Sequence, residues 1–267
     1  MKIHYLNLGR RKDRDQRFLT LNHHLVDVQR FEAVDGVSLR IEDLVRDGVI
    51  EEPLEDYTAG GLGSAVSHKR LWEMCLSRGE HLTIAEDDAI FNRGFSKKAS
   101  ALLARLPADW DFVLWGWNFD SLLHVDVLEG VKQAVMTFEN GQLGHRIAEF
   151  QEMDYDVLPL RLTAAFGLVC YSISPKGARR LRELCFPLRN EVVPLHGLKR
   201  NIANHNIDSV TNKYYRALES YASFPPLVWT EHDQTTSDIA GEPEKSPYQV
   251  ACARPTPANF VMAPVLT

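Results

Sequence analysis

Ile3 to Leu8 alternates loosely between apolar and polar positions and stops at Gly9 and a charged cluster, a pattern that predicts an opening strand. From 12 to 26, Phe18, Leu21 and Leu25 recur at helical spacing among Arg and Asp, which predicts a helix. Val28 to Val34 reads as a second strand ending in a turn at Asp35-Gly36, and 38–50 as a short helix and loop. Thr58 to Gly63 is glycine-rich and reads as flexible. A helix follows over about Ser64–Ser77, with Ala65, Leu71, Trp72, Cys75 and Leu76 on its buried face and Gly79 as its stop. His81 to Ala85 is an apolar strand that runs straight into Glu86-Asp87-Asp88. Phe112 to Trp115 is another strand, leading into Gly116-Trp117, while 118–163 is mixed and predicts no clear element. Phe166 to Ile173 reads as a buried strand. Ser174-Pro175 then opens a helix through about Leu184, Ser suiting an N-cap and Pro the first helical position. This alternation predicts one α/β domain with a mostly parallel central sheet over residues 1–240. The tail, 241–267, holds five of the 13 prolines and reads as an extended or partly disordered surface segment.

Composition narrows the class. The 267 residues allow one large domain or two small ones with a real core. Apolar residues at 45% and charged residues at 25% are ordinary for a globular chain, against disorder, collagen or coiled coil. A net charge of −6 argues against a general nucleic-acid partner. The longest mostly apolar stretch, Ala164 to Ile173, is about half the roughly 20 residues a membrane-spanning helix needs. No secretory leader is visible, so the expected location is the cytoplasm, which leaves room for peripheral contact with the inner face of the cytoplasmic membrane. Cys75, Cys170, Cys185 and Cys252 form no Cys-x-x-Cys pair and read as free thiols.

The acidic cluster carries the most chemistry. An apolar strand enters the three acids and apolar Ala89, Ile90 and Phe91 leave them, so like charges are crowded between buried stretches. A hard cation such as Mg²⁺ or Mn²⁺ would relieve that repulsion. Alternation at a strand end would turn Glu86 and Asp88 to one site and Asp87 to another, and ligands of open α/β sheets gather beyond the carboxyl ends of strands. The competing reading is a solvated turn.

Gly63-Ser64-Ala65-Val66-Ser67-His68, followed by a helix and Leu82-Thr83-Ile84-Ala85-Glu86-Asp87-Asp88, resembles the core of the family 25 glycosyltransferases, which include lipooligosaccharide and procollagen galactosyltransferases. Leu6-Asn7-Leu8 with Arg11 and Arg14, and Phe31 to Gly36, are similar to the family's first two strands. Gly167 and Tyr171 with Ser174 to Ala178, then Ile207-Asp208, then His232-Asp233-Gln234 with Ser237, follow the family order. Ser64 stands where the family often has Cys, and the proline-rich tail differs from the basic tails of several membrane-associated relatives.

The resemblance implies a GT-A type, Rossmann-like nucleotide-sugar-binding domain with a divalent metal, Mn²⁺ or Mg²⁺. It implies inverting transfer of a hexose, galactose first, from a UDP-sugar to a glycan or other hydroxyl acceptor, as in lipopolysaccharide biosynthesis. Asp88 is then the first candidate metal ligand, with His232 completing the shell or donating to a phosphate. Asn7, Arg11, Arg14, Asp35, Ser67, His68, Glu86 and Asp87 are candidates for nucleotide-sugar contacts. Arg11 and Arg14 suit phosphates, since arginine meets a phosphate bidentately. Asp208 is the candidate general base, with Asp156, Glu231 and Asp233 competing. Trp115 and Trp117 alternate past a strand end and are candidates for stacking on a sugar, although core packing is an equally good reading of Trp115. A non-catalytic nucleotide- and metal-binding relative, or a metal-dependent phosphohydrolase or nucleotidyltransferase, are the rival functions.

Overall fold

The computed structural model describes residues 1–119, 122–138, 146–195 and 200–230, so His232 and the tail 241–267 lie outside the described residues. In chain order the elements are β1 (Ile3–Asn7), α1 (Lys12–Leu21), β2 (Val28–Glu32), α2 (Ile41–Arg46), α3 (Ala59–Arg78), β3 (Leu82–Glu86), β4 (Ala89–Phe91), α4 (Phe95–Leu103) and β5 (Phe112–Gly116). They continue with β6 (Leu122–Leu128), β7 (Lys132–Thr137), α5 (Ile147–Glu152), β8 (Leu158–Ala165), β9 (Cys170–Ile173), α6 (Pro175–Cys185), β10 (Val192–Leu195) and β11 (Arg200–Ala203). The last are α7 (Ile207–Thr211), β12 (Ser220–Phe224) and β13 (Val228–Thr230).

The central sheet has nine strands in the order β2-β1-β3-β9-β5-β12-β8-β6-β7. β1 pairs in parallel with β2 and β3, and β5 with β12. β9, however, is antiparallel to both β3 and β5, and β8 with β12, β6 with β8, and β7 with β6 are antiparallel as well. The expected mostly parallel sheet is therefore corrected to a mixed one. β9, which lies between β3 and β5, is a short, mostly apolar run buried along its whole length, and such a run carries no sign of its direction.

Strand alternation sorts the core into two layers. Ile84, Phe112, Leu114 and Tyr171 face one way and pack with Leu71 and Trp72 of α3 and Leu181 of α6. Tyr5, Ala85, Val113 and Trp115 face the other way and pack with Phe18 of α1 and Phe95 of α4. Trp115 and Trp117 are both fully buried. Trp115 packs edge-on against Phe95 and donates from Nε1 to Ser172 Oγ at 2.8 Å. Trp117 lies among Phe119 and Phe138, with centroids at 5.1 and 5.8 Å. The expectation that these two indoles stack on a sugar is corrected, because neither ring presents a face to solvent. Cys75, Cys170 and Cys185 are free and buried. Among the described residues no helix is long and apolar enough to cross a membrane.

Two helix boundaries differ from the sequence reading. α3 starts at Ala59, because Thr58 caps it by accepting from the Gly61 N–H. The glycines read as flexible are instead sites of close approach. A Cβ on Gly63 would stand 2.4 Å from the Val34 carbonyl oxygen, and one on Gly36 would stand 1.7 Å from that of Ala59. The missing side chains let the turn after β2 lie directly on the first turn of α3. α1 stops at Leu21, five residues early, because Asn22 is drawn into the core by β4. Gly79, at φ +68°, ends α3 in the left-handed conformation, and Ser174 caps α6 through the Gly177 N–H.

Gly63→Ala is expected to lower the melting temperature by roughly 2–10 °C, as overpacking against backbone cannot be relieved by a rotamer change. Thermal unfolding followed by circular dichroism checks this, and an unchanged midpoint would contradict the packing described.

Candidate active site

The carboxyl ends of β3 and β5 meet the amino end of β9, where Cys170 is in register with both Ala85 and Gly116. Glu86 closes β3, and its N–H donates to the Val169 carbonyl at 2.9 Å. Asp87 and Asp88 form the turn into β4, which pairs with β13. β4 is also gripped by side chains. Asn22 donates to the Ala89 carbonyl at 2.8 Å and accepts from the Phe91 N–H at 2.9 Å. Gln151 donates to the carbonyls of Phe91 and Leu21. The acids thus sit at a turn between two strands, each held by its own partners, not on a loose loop.

The three acids are treated differently. Asp87 accepts from Asn7 Nδ2 at 2.7 Å and meets an Arg14 guanidinium nitrogen at 2.5 Å. Burial pushes its proton affinity up, opposed by Arg14 and Asn7. Asp88 lies 3.6 Å from Arg14 through Oδ2, while its Oδ1 is buried and has no hydrogen-bond partner. Glu86 is pushed up to about 8, first by burial and then by the charges of Asp88 and Asp208, with Arg14 opposing. Burial and the neighbouring acids therefore favour its protonated form in the ligand-free protein.

Asp208 comes to this edge from α7, far along the chain. Its Oδ2 accepts from the Gly167 N–H at 2.7 Å, and its Oδ1 is buried without a partner. Burial raises its proton affinity above that of an ordinary aspartate, against the Gly167 N–H. Gly167 has φ +82°, and a Cβ there would fall 2.2 Å from Asn118 Oδ1. Only glycine can therefore present that N–H. Asp156, the competing base among the described residues, is exposed ahead of β8; Glu231, Asp233 and His232 lie outside them.

The other predicted residues divide. Asn7 is buried and tied to Asp87, and Arg14 is paired with both turn acids. Arg11 pairs with Asp13 at 2.9 Å, and its carbonyl accepts from Asn7. Asp35 caps the turn at Gly36–Ser38 and is met by Arg10 at 3.0 Å on the surface. Ser67 and His68 are both buried and make internal ties, while His68 Nε2 has no hydrogen-bond partner. Ser67 Oγ donates to the Gly63 carbonyl and accepts from the Val34 N–H. His68 is fully enclosed, with Nδ1 2.8 Å from the Tyr171 hydroxyl, and burial lowers its pKa to about 3, which keeps the ring neutral. Arg30 reaches the candidate site residue Asn7, a contact the sequence does not announce. Its Nε donates to Asn7 Oδ1 at 2.9 Å, and nothing in the pattern of β2 sets it apart from a surface strand cation.

Asp88 and Glu86 offer carboxylate oxygens, the donor type a hard divalent cation takes. Asp88 Oδ1 is buried and lacks a partner, which is the fit observed here. Among the described residues no group of three His, Cys, Asp or Glu side chains is already arranged around a metal position.

The model for glycosyltransferase family 25, described as LPS biosynthesis protein, matches residues 1–194. The chain belongs to glycosyltransferase family 25. Within family 25, it is 24% identical over 244 residues to procollagen galactosyltransferase 1 of Danio rerio, covering 86% of this chain and 36% of that protein. It is 27% identical over 146 residues to a Bos taurus protein named "Probable inactive glycosyltransferase 25 family member 3", covering 50% of this chain and 24% of that one. The chain thus spans between about a quarter and a third of the length of these curated relatives.

The protonation of Glu86 has a sign that stability can read. The folded carboxyl holds its proton to about pH 8, whereas an unfolded one releases it near 4.5. The native state binds more protons across that window, so the stability of the ligand-free protein is expected to fall as pH rises from 5 to 8. Thermal melts across this range should show Glu86→Gln with a flatter profile, and an identical slope in the variant would contradict the assignment.

Proposed function

We propose that this family 25 chain transfers a hexose, galactose first, from a UDP-sugar to a hydroxyl of a glycan or other acceptor, with inversion at the anomeric carbon. The observation that carries this reading is the pair of buried, unpartnered oxygens, Asp88 Oδ1 and Asp208 Oδ1, at one strand edge beside Glu86. The name of the zebrafish relative supports galactose as the sugar. The fold reading that accompanies it is a GT-A type, Rossmann-like donor domain.

In this mechanism the acceptor oxygen forms its bond to the anomeric carbon as the bond to the UDP oxygen breaks. Asp208 Oδ1 takes the hydroxyl proton. Its raised proton affinity suits it to a general base, and the Gly167 N–H fixes the other carboxylate oxygen so that Oδ1 is the one presented. Asp88 and Glu86 would hold a Mn²⁺ or Mg²⁺ ion, with His232 as a further candidate ligand. When bound, the ion supplies a counter-charge to the departing diphosphate. Glu86 would have to be deprotonated to hold the ion, since a proton and a cation compete for the same oxygens. Asp87 is held by Asn7 and Arg14 and keeps the turn in place, while Asp35 lies on the surface next to Arg10 and is open to a nucleoside contact.

UDP with Mn²⁺ is expected to raise the melting temperature by about 5–10 °C at 100 times its Kd, and EDTA to abolish the shift. CMP or GDP giving the same shift would count against the donor assignment. Asp88→Asn is expected to lose that Mn²⁺-dependent shift. Asp208→Asn is expected to keep UDP binding within about threefold while transfer falls by about 10²–10⁴. Loss of donor affinity alone in Asp208→Asn would remove it as the base. The bovine relative's name gives weight to a second reading, a protein that binds the donor without turnover. UDP binding with no transfer to any glycan acceptor would support that reading.

A further inference from the structure

We infer that Arg30 is a positioning residue of the donor site, acting through the side chain of Asn7; this rests on the donor-site reading above. Asn7 is buried on the last position of β1, and every polar atom of its amide is used. Nδ2 donates to Asp87 Oδ2 at 2.7 Å and to the Arg11 carbonyl at 3.1 Å. Oδ1 accepts from Arg30 Nε at 2.9 Å, and the Asn7 carbonyl lies 3.3 Å from Arg30 Nη2. A guanidinium has only donors, and a carboxylate and a carbonyl have only acceptors. The amide can therefore stand one way round. Reversal would set its NH₂ against the guanidinium and its oxygen against Asp87 and the Arg11 carbonyl.

Arg30 is itself fixed. It meets Glu32 at 2.7 Å and Asp15 at 3.8 Å. Asp15 in turn accepts from the buried Tyr5 hydroxyl at 2.8 Å. The chain of contacts therefore runs from a guanidinium anchored on β2 and α1, through one amide, to the acid that pairs with Arg14 and aligns the turn bearing Asp88. Arg30 makes no hydrogen bond or ion pair with Glu86, Asp87 or Asp88 among the described residues, so its influence passes through Asn7. Lysine at this position keeps a donor but loses the fork that meets Oδ1 and the backbone carbonyl together.

The test is a double-mutant cycle read by calorimetric titration of UDP in Mn²⁺, with the melting temperature of each variant recorded. Arg30→Met is expected to weaken UDP by about tenfold, the scale of a lost charge-assisted hydrogen bond. Arg30→Lys is expected to recover part of that affinity. In an Asn7→Ala background, Arg30→Met is expected to change UDP affinity by less than about twofold, since the intermediary is gone. A purely structural arginine would lower the melting temperature and weaken UDP equally in both backgrounds, and that additivity would overturn the inference. So would wild-type affinity in Arg30→Met. Should Arg30→Met fail to fold, Arg30→Gln, which keeps one donor, carries the same cycle. Wild-type protein that binds no UDP would overturn the donor reading and this inference with it, whereas UDP binding indifferent to Arg30 overturns the inference alone.

Discussion

Negative charge is concentrated where the sheet has least water to dissipate it. Glu86, Asp87, Asp88 and Asp208 gather at the carboxyl edge of the parallel strands, and each copes by a different means. Asp87 is neutralised by Arg14 and steadied by Asn7. Glu86 is pushed toward its protonated form by burial. Asp208 spends one oxygen on the Gly167 N–H. What is left over is a pair of buried oxygens with nothing to accept from. Burying unsatisfied acceptors costs stability, and such a residue of unmet bonding is tolerated where a ligand completes it. The clamps on β4 by Asn22 and Gln151 are then intelligible as the scaffold that stops the acids from spreading apart.

Much of the frame was legible because its signals are local. The opening strand, the strand into the acids, the Ser174-Pro175 helix start and the Gly79 stop follow from period, caps and glycine chemistry within a few residues. Boundaries moved where a distant partner intervened. Asn22 reads as the continuation of a helix, but its amide bonds better to the edge of β4. The glycines at 60, 61 and 63 read as slack, yet Gly63 is a contact point against Val34. Small size and flexibility leave the same mark in a sequence, and only the neighbour distinguishes them.

The site was legible in its acids and not in its supports. Asp208 entered through its place in a family pattern; its nearness to Glu86 depends on Gly167, an arrangement no spacing encodes. Arg30 was invisible because a charged residue on a strand is ordinarily solvated. The two tryptophans were misread for the opposite reason. A strand end suggests an open aromatic face, but Val228 closes over Gly116, and Phe119 and Phe138 close over Trp117. His68 is a neutral ring bonded to Tyr171 through Nδ1, with Nε2 buried and unpartnered.

β9 has a consequence for the order in which the molecule can assemble. The sheet is two blocks, β2-β1-β3 and β5-β12-β8-β6-β7, and the four residues Cys170–Ile173 are the seam between them. β3 and β5 never touch each other edge to edge; each waits for a strand made more than fifty residues after β5 begins to be encoded. During synthesis the first block can pair early, but its inner edge stays open until the seam arrives. Contacts of such long sequence separation slow folding and leave strand edges exposed in the interval. The segment just ahead of this seam carries Val169 and Gly167, which bond to Glu86 and Asp208, so the stretch that joins the two halves also braces the acids.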